Sequence, residues 1–163
     1  MAEQRPFEEI VTEHGTVVMR VCRALLGPND ADDAWAETFL AALRAYPTLR
    51  PDSNVRGWLV TIAHRKAIDH IRSSARAPRP VDGFPEPVAK GANPAESVPD
   101  TELWSAVAAL PAGQRTAVVY HYVAGLPYAE IAALTETTVT ATRRRAADGI
   151  ANLRQHYPGG NRS

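Results

Sequence analysis

Cysteine is almost absent from this chain of 163 residues, which contains only Cys22. A single cysteine cannot close an internal disulfide, and it cannot supply a zinc site built from clustered cysteines. Cys22 falls on the apolar side of a helical pattern together with Val18 and Leu25, so we interpret it as a core residue. A disulfide framework is therefore excluded.

Long hydrophobic runs are missing as well. No apolar run approaches the roughly 20 residues that a membrane-spanning helix requires. The first residues, MAEQRPFEE, are acidic where a secretory signal would be basic. We therefore expect a cytoplasmic protein without membrane insertion.

Catalytic motifs are lacking too. The chain has no glycine-rich phosphate loop, no nucleophile motif and no paired carboxylates beside a histidine. His64 and His70 stand six residues apart, a spacing that does not bring two helical side chains together on a metal. We expect neither an enzyme nor a protein with a cofactor or a metal.

The net charge is zero, but the charges are arranged in blocks. The first 50 residues are acidic on balance, residues 51–80 are basic, residues 81–113 are acidic and the remainder is basic. Two basic blocks predict two contacts with a polyanion such as nucleic acid. Ordinary solvated helix faces are the alternative explanation for either block taken alone.

Apolar residues recur at three-to-four spacing over most of the chain and predict an all-α protein. The first helix runs over 7–26, the second starts at Asn29 or Asp30, and the third runs over 55–72. The predicted buried stripe of the second helix is Ala34, Thr38, Phe39, Ala42, Leu43 and Tyr46, and that of the third is Val55, Trp58, Leu59, Ile62, Ile68 and Ile71. The third helix then presents a basic face made of His64, Arg65, Lys66, His70 and Arg72.

Prolines and glycines are concentrated in residues 77–100, which predicts a flexible linker between two domains, 1–76 and 101–157. The second domain contains a helix-turn-helix pattern, with a short helix at 128–134, a turn at 135–138 and a longer helix at 139–156. The second helix of such a unit enters the major groove of DNA. Gly149 lies inside this helix and predicts a loss of helix stability of about 1 kcal/mol relative to alanine.

Two stretches carry a family resemblance. The residues Asp30, Ala31, Asp33, Glu37 and Phe39, followed by Trp58-Leu59, Ile62-Ala63, Asp69 and Arg72, resemble region 2 of bacterial sigma factors of the extracytoplasmic-function group. The residues Leu110-Pro111, Arg115, Gly125-Leu126, Tyr128 and Glu130-Ile131-Ala132 resemble region 4 of the same family. The recognition helix departs from the family, since Asp148 stands where a basic residue is common.

This resemblance implies an N-terminal helical bundle that binds core RNA polymerase and the minus-ten promoter element, and a C-terminal helix-turn-helix domain that binds the minus-thirty-five element. The implied polymerase contacts are Asp30, Asp32, Asp33 and Glu37. The candidate contacts to promoter DNA are Asn54, Arg56, Arg65 and Lys66 in the first domain and Thr138, Thr140, Arg143 and Arg144 in the second. Trp58 is a possible platform for an unstacked base, but its apolar position favours the core. An anti-sigma factor is a further candidate partner.

Two other functions remain open. A helix-turn-helix regulator would bind duplex DNA without polymerase, and a sigma-like interaction module would have reduced DNA binding. The first has no use for the acidic motif at Asp30 to Phe39, and the second has no use for the arginines at 143–145.

Overall fold

The computed structural model describes residues 4–76 and 101–156, and the predicted linker lies outside these residues. All regular structure in the described part of the chain is helical, which confirms the all-α prediction. The helices form two compact units, one on each side of residues 77–100. In neither described range is a helix both long enough and apolar enough to cross a membrane.

The first unit is a bundle of three helices, each of which contacts the other two. They are α1 (Phe7–Leu26), α2 (Pro28–Ala45) and α3 (Val55–Arg76), with a short 3₁₀ turn (Tyr46–Thr48) after α2. Gly27 separates α1 from α2 with a φ of 77°, a conformation that suits glycine. The second helix begins at Pro28, one or two residues before the predicted start, because the fixed φ of proline suits the first helical position.

The core of the first unit contains the apolar side of α1, including Ile10, Val18, Met19 and Cys22. Cys22 is fully buried, as predicted. Burial raises the pKa of its thiol to about 12, so almost none of it is thiolate at neutral pH. Cys22 is therefore a packing residue and an unreactive one.

Aromatic side chains fix α2 against α1. The indole Nε1 of Trp35 donates a hydrogen bond to the Gly15 carbonyl at 2.9 Å, and its ring lies 4.7 Å from that of Phe39. At the end of α2, the Tyr46 hydroxyl donates to the Arg5 carbonyl, and its ring meets Phe7 at 5.3 Å. These contacts turn one side of α2 toward α1.

The buried face of α3 differs from the predicted one. Its fully buried residues are Leu59, Val60, Ala63 and Ala67, of which only Leu59 was expected. Val55, Trp58, Ile62 and Ile68 are half-buried. Ile71 on α3 and Leu43 on α2 were predicted to be buried, but they are 46% and 50% exposed. Because α3 packs on two helices at once, its buried residues follow the contacts with both neighbours and not the single apolar stripe of the sequence.

The second unit consists of α4 (Thr101–Ala108), α5 (Ala112–Val118), a π-helical segment (Val119–Val123), α6 (Tyr128–Leu134) and α7 (Val139–His156). The predicted helix-turn-helix is formed by α6 and α7. Helix α5 begins at Ala112, directly after Pro111. The π-helical segment was not predicted, since one wider turn leaves no distinct periodicity in so short a stretch.

Helix α7 crosses α5 at Gly149. A β-carbon placed there would lie 2.6 Å from Cγ2 of Val118 and 3.4 Å from the Gln114 carbonyl oxygen. Three residues later, Asn152 donates a hydrogen bond to the Gln114 side chain at 2.6 Å. Gly149 therefore has a packing role that the helix-propensity argument left out, because it allows the two helices to approach closely.

His14 is a buried group that titrates. It is 7% exposed, and its Nε2 lies 3.9 Å from a carboxylate oxygen of Glu13. Burial is the main cause that lowers its pKa, Arg56 and Arg5 act in the same direction, and Glu13 opposes them. The unfolded chain therefore binds a proton at His14 more readily than the folded chain does.

We expect the free energy of unfolding to fall as the pH drops from about 7.5 through the unfolded histidine pKa of about 6.5. The variant His14→Gln has no imidazole to protonate at this position, so its free energy of unfolding should fall less over the same pH range. Urea unfolding followed by circular dichroism at each pH measures the difference. Parallel curves for the two proteins would assign the pH dependence to other groups.

Candidate functional surfaces

The predicted polymerase contacts lie on α2. Asp33 and Glu37 are exposed, whereas Asp30 and Asp32 are half-buried. Leu40 and Leu43 continue this exposed side at 49% and 50% exposure. Residues 33, 37, 40 and 43 follow three-to-four spacing, so they share one side of the helix. We call Asp33, Glu37, Leu40 and Leu43 the α2 surface; it is both acidic and apolar.

One member of the α2 surface is tied to α3. The Nε2 of His70 donates a hydrogen bond to Oε2 of Glu37 at 2.9 Å, between side chains that are 20% and 48% exposed. His70 was predicted to belong to a basic face turned to solvent. The pair instead joins α2 to α3, so Glu37 has an intramolecular role as well as an exposed position.

The start of α3 holds two of the predicted DNA contacts, and both act on other groups of the protein. The Asn54 side chain accepts a hydrogen bond from the Gly57 amide at 3.2 Å and so caps the helix. Arg56 is half-buried, and its charge acts on Glu13 and His14 of α1. Arg5 binds Glu13 at 2.7 Å and is the main cause that lowers the pKa of that carboxyl. The charge of Arg56 therefore acts on an ion pair that joins Arg5, just before α1, to Glu13 on α1.

The other two predicted contacts in this unit, Arg65 and Lys66, lie further along α3. Arg65 is exposed and Lys66 is half-buried. Arg56 and Arg65 are nine residues apart, or about two and a half turns of an α-helix, so they project from opposite sides. The structure does not bring the four residues onto one face. Between them, His64 is half-buried, and burial followed by the charge of Arg65 lowers its pKa.

The predicted DNA contacts of the second unit are clustered at the start of α7. Thr140, Arg143 and Arg144 are exposed, and their spacing places them on one side of the helix. Thr138 is exposed too, and its hydroxyl accepts a hydrogen bond from the Ala141 amide at 3.0 Å. Thr138 thus caps the helix that carries the other three residues.

The turn before α7 is tight. The Thr137 amide donates to the Ala132 carbonyl at 2.9 Å, and Glu136 takes a φ of 57°. This is the left-handed helix ending in which glycine is usually found. The turn fixes the angle between α6 and α7 and thereby directs the exposed side of α7.

An aromatic cluster beside Arg143 was not predicted from the sequence. The rings of His121 and Tyr128 are stacked with centroids 3.9 Å apart, and His121 meets Tyr122 edge-on at 4.8 Å. The Arg143 guanidinium carbon lies 5.8 Å from the centre of the Tyr128 ring. Burial, followed by a hydrogen bond to Tyr122, raises the pKa of Tyr128, and Arg143 opposes this shift. The sequence places the rings of His121, Tyr122 and Tyr128 within eight residues. They come into contact because the chain turns at Gly125, which has a φ of 74°.

Two models of a known protein family match this chain. The model for sigma-70 region 2 matches residues 10–77, and the model for sigma-70 region 4 matches residues 100–153. A probable RNA polymerase sigma-C factor of Mycobacterium bovis is 34% identical over 145 residues, covering 88% of this chain and 78% of the relative. The chain belongs to the extracytoplasmic-function sigma factors. It is a sigma factor that binds core RNA polymerase and directs promoter-specific transcription.

Other relatives agree with this assignment. The sigma factor is 31% identical over 160 residues to the RNA polymerase sigma factor CarQ of Myxococcus xanthus, covering 93% of this chain and 89% of CarQ. Its fold is similar to CnrH, solved with the cytosolic domain of CnrY, at a TM-score of 0.62, 25% identity and coverage of 94% and 88%. The fold of RpoE from Bartonella quintana, solved with NepR, matches at a TM-score of 0.70, 19% identity and coverage of 95% and 99%.

Proposed function

We propose that the sigma factor docks on core RNA polymerase through the α2 surface, with Asp30 and Asp32 at its edge. The observation that carries this proposal is the pair of half-exposed leucines beside two exposed carboxylates on one side of α2. Leu40 and Leu43 leave about half of their surface uncovered, which a partner could bury. An apolar centre with charges around it is the usual arrangement of a protein interface.

The DNA contacts divide between the two units. Arg65 and Lys66 project from the middle of α3 and bind the minus-ten element as its strands separate. Asn54 and Arg56 make separate contacts with this element from the start of the helix. Cations of this kind hold phosphates while the bases are displaced. Thr138, Thr140, Arg143 and Arg144 bind the minus-thirty-five duplex. Their exposure on one side of α7 supports this role.

The two domains, 1–76 and 101–157, act on the two promoter elements, and residues 77–100 connect them. The sigma factor works in the cytoplasm, supplies specificity and leaves catalysis to the polymerase. An anti-sigma factor is a further partner, because the similar chains CnrH and RpoE were solved with CnrY and with the anti-sigma factor NepR.

Run-off transcription with purified core polymerase tests the function. Promoter-dependent transcripts should appear only when the sigma factor is added. A gel shift without polymerase separates the alternatives: strong sequence-specific binding by the chain alone, together with no effect on transcription, would identify a plain regulator instead.

Reversing two charges on the α2 surface tests the polymerase contact. We expect Asp33→Lys with Glu37→Lys to weaken binding to core polymerase by at least about tenfold, because repulsion replaces electrostatic complementarity. Co-purification with core polymerase at graded salt measures the loss.

The matched control is Glu8→Lys with Glu102→Lys, which changes the net charge equally at two exposed positions on other helices. Glu37→Gln separates the two roles of Glu37, because the amide keeps an acceptor for His70 but removes the charge. Normal holoenzyme formation by the double reversal would remove Asp33 and Glu37 from the interface.

A further inference from the structure

We propose that Tyr128 is a positioning residue for Arg143, holding its guanidinium in the orientation in which α7 reads the promoter. This inference rests on the proposed role of α7 in binding the minus-thirty-five element. It adds a residue of α6 that contacts Arg143 from the neighbouring helix.

The geometry singles out Arg143 among the three consecutive arginines of α7. Its guanidinium carbon is 5.8 Å from the centre of the Tyr128 ring, within the range of a cation–π interaction. The carbon chain of Arg145 instead runs past Gly113 on α5, 3.3 Å from where a β-carbon of that glycine would be. Arg143 is therefore the arginine on the exposed side of α7 whose guanidinium contacts the face of the Tyr128 ring.

The Tyr128 ring is held in place by its own neighbours. His121 stacks on it with an interplanar angle of 13°, and the Nδ1 of His121 donates a hydrogen bond to the Leu126 carbonyl at 2.9 Å. The Tyr128 hydroxyl also interacts with Tyr122. The Leu126 amide in turn donates to the Tyr120 carbonyl at 2.9 Å, which closes the turn between the π-helical segment and α6. The ring is thus fixed by backbone and side-chain contacts before DNA arrives.

Orientation matters for an arginine that reads bases. Specific recognition of guanine requires the planar guanidinium to present two donors to O6 and N7 at once, whereas a phosphate contact tolerates many orientations. An arginine that swings freely keeps its charge but loses the fixed plane. Removing the ring should therefore reduce discrimination between promoter sequences more than it reduces the salt dependence of binding.

The test compares binding of the reconstituted holoenzyme to the cognate minus-thirty-five duplex and to a scrambled duplex of the same length. We expect Tyr128→Leu to lower the ratio of the two affinities by about three- to tenfold, with the salt slope unchanged because Arg143 is still present. Tyr128→Phe keeps the aromatic face and should retain most of the discrimination. In an Arg143→Ala background, Tyr128→Leu should have no further effect, whereas in an Arg144→Ala background its full effect should persist.

The outcomes separate this inference from the proposed function. If Arg143→Ala leaves promoter binding unchanged, the proposed role of α7 fails. If Arg143→Ala weakens binding while Tyr128→Leu, introduced into that variant, still lowers the affinity ratio by its full amount, Tyr128 acts independently of Arg143. The inference is then overturned while the proposed function stands. Should Tyr128→Leu fail to fold, Tyr128→Met preserves the apolar volume without a ring, and the same expectations and the same overturning result apply to it.

Discussion

Replacing Gly149 with alanine should lower the free energy of unfolding by about 2 kcal/mol, although alanine is the better helix former by about 1 kcal/mol. The new methyl group would lie 2.6 Å from Cγ2 of Val118, which is itself buried at 4% exposure on α5. The Val118 side chain is β-branched and buried, so its methyl group has little freedom to move aside. Overpacking therefore outweighs helix propensity, and Gly149→Val should cost more still.

Urea unfolding of the full chain, followed by the helical circular dichroism signal, measures this effect. Val118→Ala removes the clashing methyl group, so the double variant should recover most of the loss, and the double-mutant cycle should show a favourable coupling of about 1 to 2 kcal/mol. Gly113→Ala is the matched control, because a β-carbon there meets only the movable side chain of Arg145, at 3.3 Å. A rise in stability with Gly149→Ala would show that propensity, and not packing, governs this position.

Replacing Arg65 and Lys66 with alanine should abolish transcription from a duplex promoter while sparing duplex binding. These two cations are proposed to hold the DNA phosphate backbone while the promoter strands separate. Their loss should therefore affect promoter opening and leave duplex binding unchanged. Transcription should return on a template that is already unpaired around the start site. Run-off transcription on the two templates, with the same holoenzyme, provides the measurement.

Arg143→Ala with Arg144→Ala should give the complementary result. Binding to the minus-thirty-five duplex should weaken, and the salt slope should fall by about two, since each lost phosphate contact lowers it by about one. The unpaired template should not rescue this variant's promoter selection. If the α7 variants select promoters normally while the α3 variants lose all DNA binding, α7 does not read the promoter and the DNA-binding role falls to the first unit alone.

Arg65 and Lys66 are better suited to the transcription test than Asn54 and Arg56, because Asn54 and Arg56 also act within the protein. The Asn54 side chain caps α3, so Asn54→Ala is expected to cost about 1 kcal/mol of stability in addition to any contact with DNA. Arg56 acts on Glu13 and His14, so its loss also changes the electrostatics of α1. Asn54→Asp keeps the cap and is the appropriate variant at that position.

The sequence by itself determined the helices, the helix-turn-helix and the family. Each of these depends on residues that are close together in the chain. The end of α1 at Leu26 and the ranges of α6 and α7 agree with prediction because periodicity and turn residues act locally. Cys22 was correctly placed in the core for the same reason.

Only the tertiary structure decided how much of each apolar side is buried and which side chains meet. His70 binds Glu37 across 33 positions of sequence, Val118 meets Gly149, and Tyr128 contacts Arg143. Leu43 and Ile71 fit an apolar stripe but are exposed, because the crossing of the helices in the bundle decides where the core lies. A helical pattern shows that one side is apolar, but the neighbouring helices determine how much of that side they cover.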